Sequence, residues 1–394
     1  AQVTIKKNRD FKFTGWASSG KFEIHTLEAN YAYDANKINL IRTDKSYFRA
    51  KPLSQADGNK SIALGSPING IVGEILVDDP SNRAGMKKEA AFTKFPILKS
   101  TKPSKVYYNQ YELYKGAYDS ARFYYTCQPF EMDSLDNFSE KSFRLKGELV
   151  SAGIFPVIKE DLKIMPDYSL GFSTLAPPEG HVFYGTKAMY KNKIVLSNNG
   201  LQGAGVINFI HSISDSKAFT FLPDSTLGYA KFENKPIETG IQFPDVTSPD
   251  AFITYVPRQN VLKASSTSEN ELTFFKGEAK LKGTAIIQPA GMTGYGIMSM
   301  AKANLGSDAF KFKRYDIDSD TSVFNLKNPY PEEGESPLAF SSTNVNAHIS
   351  FKDRKGDFKS NDGEELKTFP VIKYAAKVDI FTWLMDQDEM ELSK

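Results

Sequence analysis

The 394-residue sequence repeats itself at a fixed spacing. Gly200-Leu201-Gln202-Gly203-Ala204-Gly205 returns as Gly291-Met292-Thr293-Gly294-Tyr295-Gly296, and Ser216-Lys217-Ala218-Phe219-Thr220-Phe221 returns as Ser307-Asp308-Ala309-Phe310-Lys311-Phe312. Both motifs recur at an offset of 91 residues. Two separate motifs in one register point to a structural unit used twice, and such units bury their apolar faces against their neighbours. Phe183-Tyr184-Gly185 matches Phe275-Lys276-Gly277 at an offset of 92, and Ala251-Phe252-Ile253-Thr254-Tyr255 matches Ala347-His348-Ile349-Ser350-Phe351 at 96, with Arg258 matching Arg354. The growth from 91 to 96 implies five extra residues in the second segment, for which the Asn328–Pro337 loop offers room.

Alternation with period two defines the local structure. From Phe275 to Ala285, small or apolar residues take the odd positions and polar ones the even. Phe310 and Phe312 flank Lys311; Ala347, Ile349 and Phe351 interleave with His348 and Ser350; Phe22 and Ile24 alternate with Glu23 and His25. One face of each such strand turns inward and the other meets water. Pro80–Phe92 and Ile158–Ile164 read as the best helical candidates, both short. The expected fold is therefore all-β with few short helices: an elongated repeat architecture of stacked β-jelly-roll or solenoid-like units, or alternatively tandem β-sandwiches. Residues 1–140 form a divergent β domain, 141–272 a β unit with core 181–265, and 273–394 a second unit with core 273–362. The polar run Lys263–Asn270 is the junction. Strand patterns at Val378–Met385 and Met390–Leu392 suggest that the parent protein continues, and Ala1–Lys6 lacks the apolar core of a secretory peptide, as a mature or trimmed end would.

Charge excludes some partners. With 49 basic and 47 acidic residues, mixed along the chain, no large field selects nucleic acid. The uncharged stretch Gly283–Ala301 holds four glycines and Pro289, a poor composition for a membrane helix. Cys127 is the single cysteine, so the fold rests on burial and backbone pairing rather than disulfides.

No motif assigns catalysis. Gly291, Gly294 and Gly296 carry the dinucleotide-fingerprint spacings in reverse, but no helix start follows in Ile297-Met298-Ser299-Met300, and the same glycines recur at Gly200, Gly203 and Gly205. They read as turns or close backbone approaches. His25, His181, His211 and His348 are far apart, with His25 and His348 on the wet faces of their strands. Asp316-Ile317-Asp318-Ser319-Asp320 and Asn361-Asp362-Gly363-Glu364-Glu365 read as polar turns that fall outside the calcium-loop pattern. Trp16, Tyr107, Tyr108, Tyr124 and Tyr125 offer surfaces for sugar stacking, although adjacent aromatics in strands divide between core and surface. No catalytic, cofactor or metal residue is assigned.

The Gly-Leu-x-Gly-x-Gly turn, the Ser-x-Ala-Phe-x-Phe strand behind it, and Gly171-Phe172 after Pro166-Asp167-Tyr168-Ser169-Leu170 together resemble large uncharacterised exported β-repeat proteins of Bacteroidetes-type Gram-negative bacteria. A fainter resemblance, in strand pattern only, is to the β-jelly-roll domains of lipopolysaccharide-transport proteins. The resemblance implies an extracytoplasmic, envelope-associated location in the periplasm, at the outer membrane or on the cell surface. The functional expectation is a non-enzymatic structural or interaction segment with a protein or an envelope glycan or lipid as partner. The alternatives are a glycan- or lipid-binding module with an extended groove, and a carbohydrate-active enzyme on a β-solenoid.

Overall fold

The structure is a computed structural model that describes residues 2–54, 58, 60–109, 116–363, 366–387 and 389–393. It is all-β: 58% of the chain is strand and 3% helix, and the sheets are antiparallel. A first sheet of 12 strands is built from residues 2–151. Its main path runs Gln2–Ile5, Phe11–Ser19, Phe22–Ala32, Lys37–Ala50, Ile68–Asn69, Ser104–Tyr107, Phe123–Cys127 and Gly147–Ser151. A second sheet of 20 strands follows the chain from Lys163–Ile164 to Met390–Ser393.

The chain divides into two compact units. One comprises 1–176, 193–202 and 221–223; the other comprises 177–192, 203–220 and 224–394. In the first, alternation puts Phe22, Ile24, Phe48, Ile68, Val106, Phe123 and Tyr125 on one buried face. Phe48 anchors that core, with ring centroids 4.9 Å from Phe22 and 5.1 Å from Phe143. Burying a side chain of this size stabilises by roughly 1.5–3 kcal/mol, so a dozen of them can hold a sheet without a disulfide.

Within the second unit the sheet continues on both sides of the polar run 263–270, of which 263–265 is strand and 266–270 a short connection. Val261–Ser265 and Leu272–Phe274 both pair with Val246–Val256 on one side and with Ala279–Gln288 on the other. Leu262 lies opposite Ile287 and Ser265 opposite Thr284.

The recurring motifs fall on strands of matching length. Gly200–Phe209 and Gly291–Met300 are each 10 residues long. Gly200 and Gly291 open these strands at φ +87° and +134°. Further along, a Cβ on Gly205 would collide with the Lys191 carbonyl, and one on Gly296 with the Lys282 carbonyl. The glycines thus answer a backbone requirement. The serine of the second motif has a physical reason as well. Ser216 Oγ donates to the Tyr229 carbonyl at 2.6 Å and accepts from the Ala218 N–H at 3.1 Å. Ser307 repeats this with the Thr321 carbonyl at 2.7 Å and the Ala309 N–H at 3.1 Å.

Three sequence readings need correction. The register after the motifs differs by two residues from the sequence match. Thr226 lies opposite Tyr255, and its counterpart Ile317 lies opposite Ile349 rather than Phe351, so the offset there is 94 instead of 96. A slip of two keeps every side chain on its own face, which leaves the alternation blind to it. The extra residues lengthen the strands, Asp316–Lys327 and Leu338–Ser350 having 12 and 13 residues against 10 and 11 in Ser225–Asn234 and Val246–Val256. The loop 328–337 holds none of them, being no longer than the loop 235–245.

The two helical candidates are not α-helices. Pro80–Asn82 and Ala90–Phe92 are single 3-10 turns separated by Gly85 at φ +64°. Ile158–Ile164 is extended, with Leu149 bridging to Ile158 and Leu145 to Leu162. Its i, i+4 apolar pair is satisfied by a neighbouring strand, a tertiary override of local pattern. Finally, Asp316–Asp320 is strand rather than turn.

Candidate functional site

A candidate site in each unit combines aromatic or apolar surface with polar groups. The first is the outward face of the first sheet. The register places Trp16 opposite His25, Glu23 opposite Tyr47, Lys45 opposite Asn69, Asn69 opposite Lys105, and Tyr107 opposite Tyr124. Strand alternation puts all of these on the face away from Phe22, Ile24 and Tyr125. Trp16 is 59% exposed, with its ring 5.1 Å from His25 and 6.1 Å from Tyr47. His25 Nδ1 lies 3.5 Å from Asp44. Lys105 Nζ sits 3.9 Å above the Tyr124 ring. Flat aromatic surface beside planar acceptors and ammonium donors suits ligands that present C–H faces and hydroxyls together.

Tyr108 and Tyr125 point the other way. Their hydroxyls donate to the Leu170 carbonyl at 2.8 Å and the Glu160 carbonyl at 2.7 Å, and burial pushes both phenols well above the usual range. The adjacent tyrosines therefore split between core and surface, as the sequence suggested.

The second place is a cavity of about 470 Å³ beside the turn between Gly291–Met300 and Ala303–Phe312. Ala301, Leu326, Pro329, Ala339 and Trp383 form its apolar wall, while Lys302, Lys327, Asn328, Gln387 and Glu389 supply polar groups. Trp383 is 3% exposed and packs 5.6 Å from Phe324. Lys327 Nζ donates to the Met300 carbonyl at 2.7 Å, which holds the turn against the next strand. Next to it Arg354 bridges Asp386 at 2.8 Å and Glu278 at 3.2 Å, and the first of these pairings raises the guanidinium pKa most.

The remaining residues singled out in the sequence do not converge. Burial lowers the pKa of His181; His211 packs 5.3 Å from Phe243; His348 Nδ1 lies 2.6 Å from Asp318. Burial acts to raise the Asp318 pKa, but hydrogen bonds from His348 and Lys313 outweigh it and hold the carboxyl below its usual value. Asp320 is taken by Lys311 at 2.8 Å. Among the described residues no three His, Cys, Asp or Glu side chains form a metal-holding group; Glu364 and Glu365 lie outside the described residues. Cys127 is buried, and burial pushes its thiol up to about 12.

Sequence reasoning named Trp16, Tyr107 and Tyr124 but could not show that separate strands bring them to one face. The cavity left no local signal, since its wall comes from segments near 301, 326, 339 and 383. No family model matches the chain, and no curated protein or solved structure matches it either. Among the described residues, no helix is long and apolar enough to cross a membrane.

Proposed function

We propose that this chain is a non-enzymatic structural and interaction segment of a large extracytoplasmic, envelope-associated protein, built from stacked β-repeat units. The observation that carries this reading is the unbroken ladder from Val261–Ser265 into Ala279–Gln288, which joins the two motif-bearing segments by hydrogen bonds rather than by a free linker. Units coupled this way share an apolar interface, and their stability depends on their neighbours. Hydrogen exchange on the whole chain tests it. Amides of residues 262–265 and 284–287 should be protected to the same level as the strands on either side. Exchange of residues 262–265 at the rate of an open linker, with independent unfolding of the two flanks, would replace stacked units by separate beads. Fractionation of the native host with an antibody to the chain tests the location.

A second reading, glycan binding, is supported by the aromatic and polar face around Trp16, His25 and Tyr47. A glycan array that registers the wild type and loses the signal with Trp16→Ala would support it, and a blank array would remove it.

A further inference from the structure

One end of each sheet is a strand with no neighbour on its outer side. Among the described residues Gln2–Ile5 pairs only with Phe11–Ser19, and Met390–Ser393 only with Ile380–Leu384. Such an edge leaves a row of backbone N–H and C=O groups unpaired, a template for one more strand. Both edges are also apolar on one face. Val3 lies opposite Phe13 and Ile5 opposite Phe11, and they are 57% and 75% exposed. Leu392 lies opposite Phe381 and Met390 opposite Trp383; Leu392 is 47% exposed although Phe381 and Trp383 are buried. Each edge strand extends the inward face of its sheet past the last covered row.

The phase of the backbone groups decides how these edges can be filled. In an antiparallel pair, successive residues send their N–H and C=O groups to opposite sides of the strand. The Lys6 N–H donates to the Asp10 carbonyl at 2.7 Å, so Gln2 and Thr4 pair with the neighbouring strand while Val3 and Ile5 hold the free groups. The Glu389 carbonyl accepts from the Leu384 N–H at 3.3 Å, so Glu391 and Ser393 pair with the neighbouring strand while Met390 and Leu392 hold the free groups. On both edges the apolar residues carry the unpaired backbone. Chain chirality then lets the two edges join antiparallel with their apolar faces on one side. A parallel join would turn one of those faces to water.

We propose that Gln2–Ile5 of one molecule adds antiparallel to Met390–Ser393 of a second copy of this chain, so that molecules join head to tail. Val3 exchanges backbone hydrogen bonds with Leu392, and Ile5 with Met390, and these side chains cover one another. The same register sets Gln2 beside Ser393, Thr4 beside Glu391, and the exposed Lys6 beside the exposed Glu389, all on the polar face. Charge fits beyond that pair. Gln2–Ile5 runs into Lys6-Lys7-Asn8-Arg9, and Met390–Ser393 is preceded by Asp386-Gln387-Asp388-Glu389. Antiparallel pairing lays the basic turn against the acidic one, and joining two like edges forfeits that match. Because unlike edges meet, the contact is heterologous and leaves an edge open at each end for further copies. The inference adds a contact between molecules to the coupling within the chain that hydrogen exchange reads, so either can fail alone.

Sedimentation equilibrium of the full chain tests it. The wild-type mass should rise with concentration past that of a dimer. Val3→Pro and Leu392→Pro each remove one outward N–H and leave the pairing with the neighbouring strand intact. Each proline variant alone should stay a monomer, because one edge of the required pair is blocked. An equimolar mixture of the two should form a heterodimer and grow no further, since each keeps the edge that the other lacks. Lys6→Glu or Glu389→Lys should weaken assembly about fivefold, and the chain carrying both should recover it. A wild type that stays monomeric up to about 1 mM overturns the proposal. So does self-association of either proline variant, which would reveal like edges pairing, or a mixture without heterodimer when the circular dichroism of both variants matches wild type. The charge variants leave the backbone untouched and decide the matter if a proline variant does not fold: a double variant that assembles no better than the single ones overturns the proposal.

Discussion

Replacing Gly296 by Ala tests whether the recurring glycines are backbone devices. Gly296 sits opposite Gly283 in the pairing of Ala279–Gln288 with Gly291–Met300. Its φ is +131°, a region that residues with a Cβ rarely adopt. The added methyl would meet the Lys282 carbonyl and lie 2.7 Å from the Gly283 Cα, so backbone must move. Forced conformations of this kind cost roughly 1–3 kcal/mol, and the displaced ladder adds to that. The reduced freedom of the unfolded chain returns only about 0.4–1 kcal/mol. We expect a net loss of about 3 kcal/mol, lowering the thermal midpoint of a unit of this size by about 6–12 °C. Gly306→Ala is the control, because the nearest heavy atom to its new methyl is the Gly296 carbonyl at 4.0 Å; it should stay within about 1 kcal/mol of wild type. Urea unfolding followed by circular dichroism, with calorimetry, reads both variants. If Gly296→Ala unfolded with the wild-type midpoint yet lost binding of a dinucleotide, the structural account of the motif would be refuted.

Phe275→Ala should cost about 3–5 kcal/mol, because the ring is buried and stacks on Phe351 at 4.3 Å; chemical denaturation checks this. The Asp318 carboxyl has a lowered pKa in the fold, so its contribution is present above the unfolded carboxylate pKa of about 3.9 and is lost as pH falls through the folded value. Asp318→Asn should therefore be less stable at pH 7 and show a shallower loss of stability below about pH 4, measured as urea midpoints across that range. With its thiol buried and pushed up to about 12, Cys127 should resist a thiol reagent at pH 8 in the folded protein and react fully in denaturant. Rapid labelling of the folded protein would place Cys127 on an accessible surface.

Particular residues show why some of the structure was legible and some was not. The alternation at Phe22–His25 and Phe310–Phe312 marked both strand and buried face, because successive side chains in a strand must point to opposite sides. Ile158 and Leu162 misled, since an apolar pair four apart suits a helix and an extended segment bridged to Leu145 and Leu149 equally. Asp316–Asp320 has the composition of a turn, but it is a strand in which Asp318 pairs with Lys313 and with His348 on the next strand, and Asp320 with Lys311 on the previous one.

The sequence by itself determined the all-β class, the strand faces, the 91-residue recurrence and the structural character of its glycines, all of which follow from local geometry and period. Only the tertiary structure decided the two-residue register slip, the face that gathers Trp16, His25 and Tyr47, and the cavity beside Lys302. Each of these depends on which distant strands become neighbours. That choice is made by the summed burial and pairing of whole sheets, and no local segment of the sequence carries a record of it.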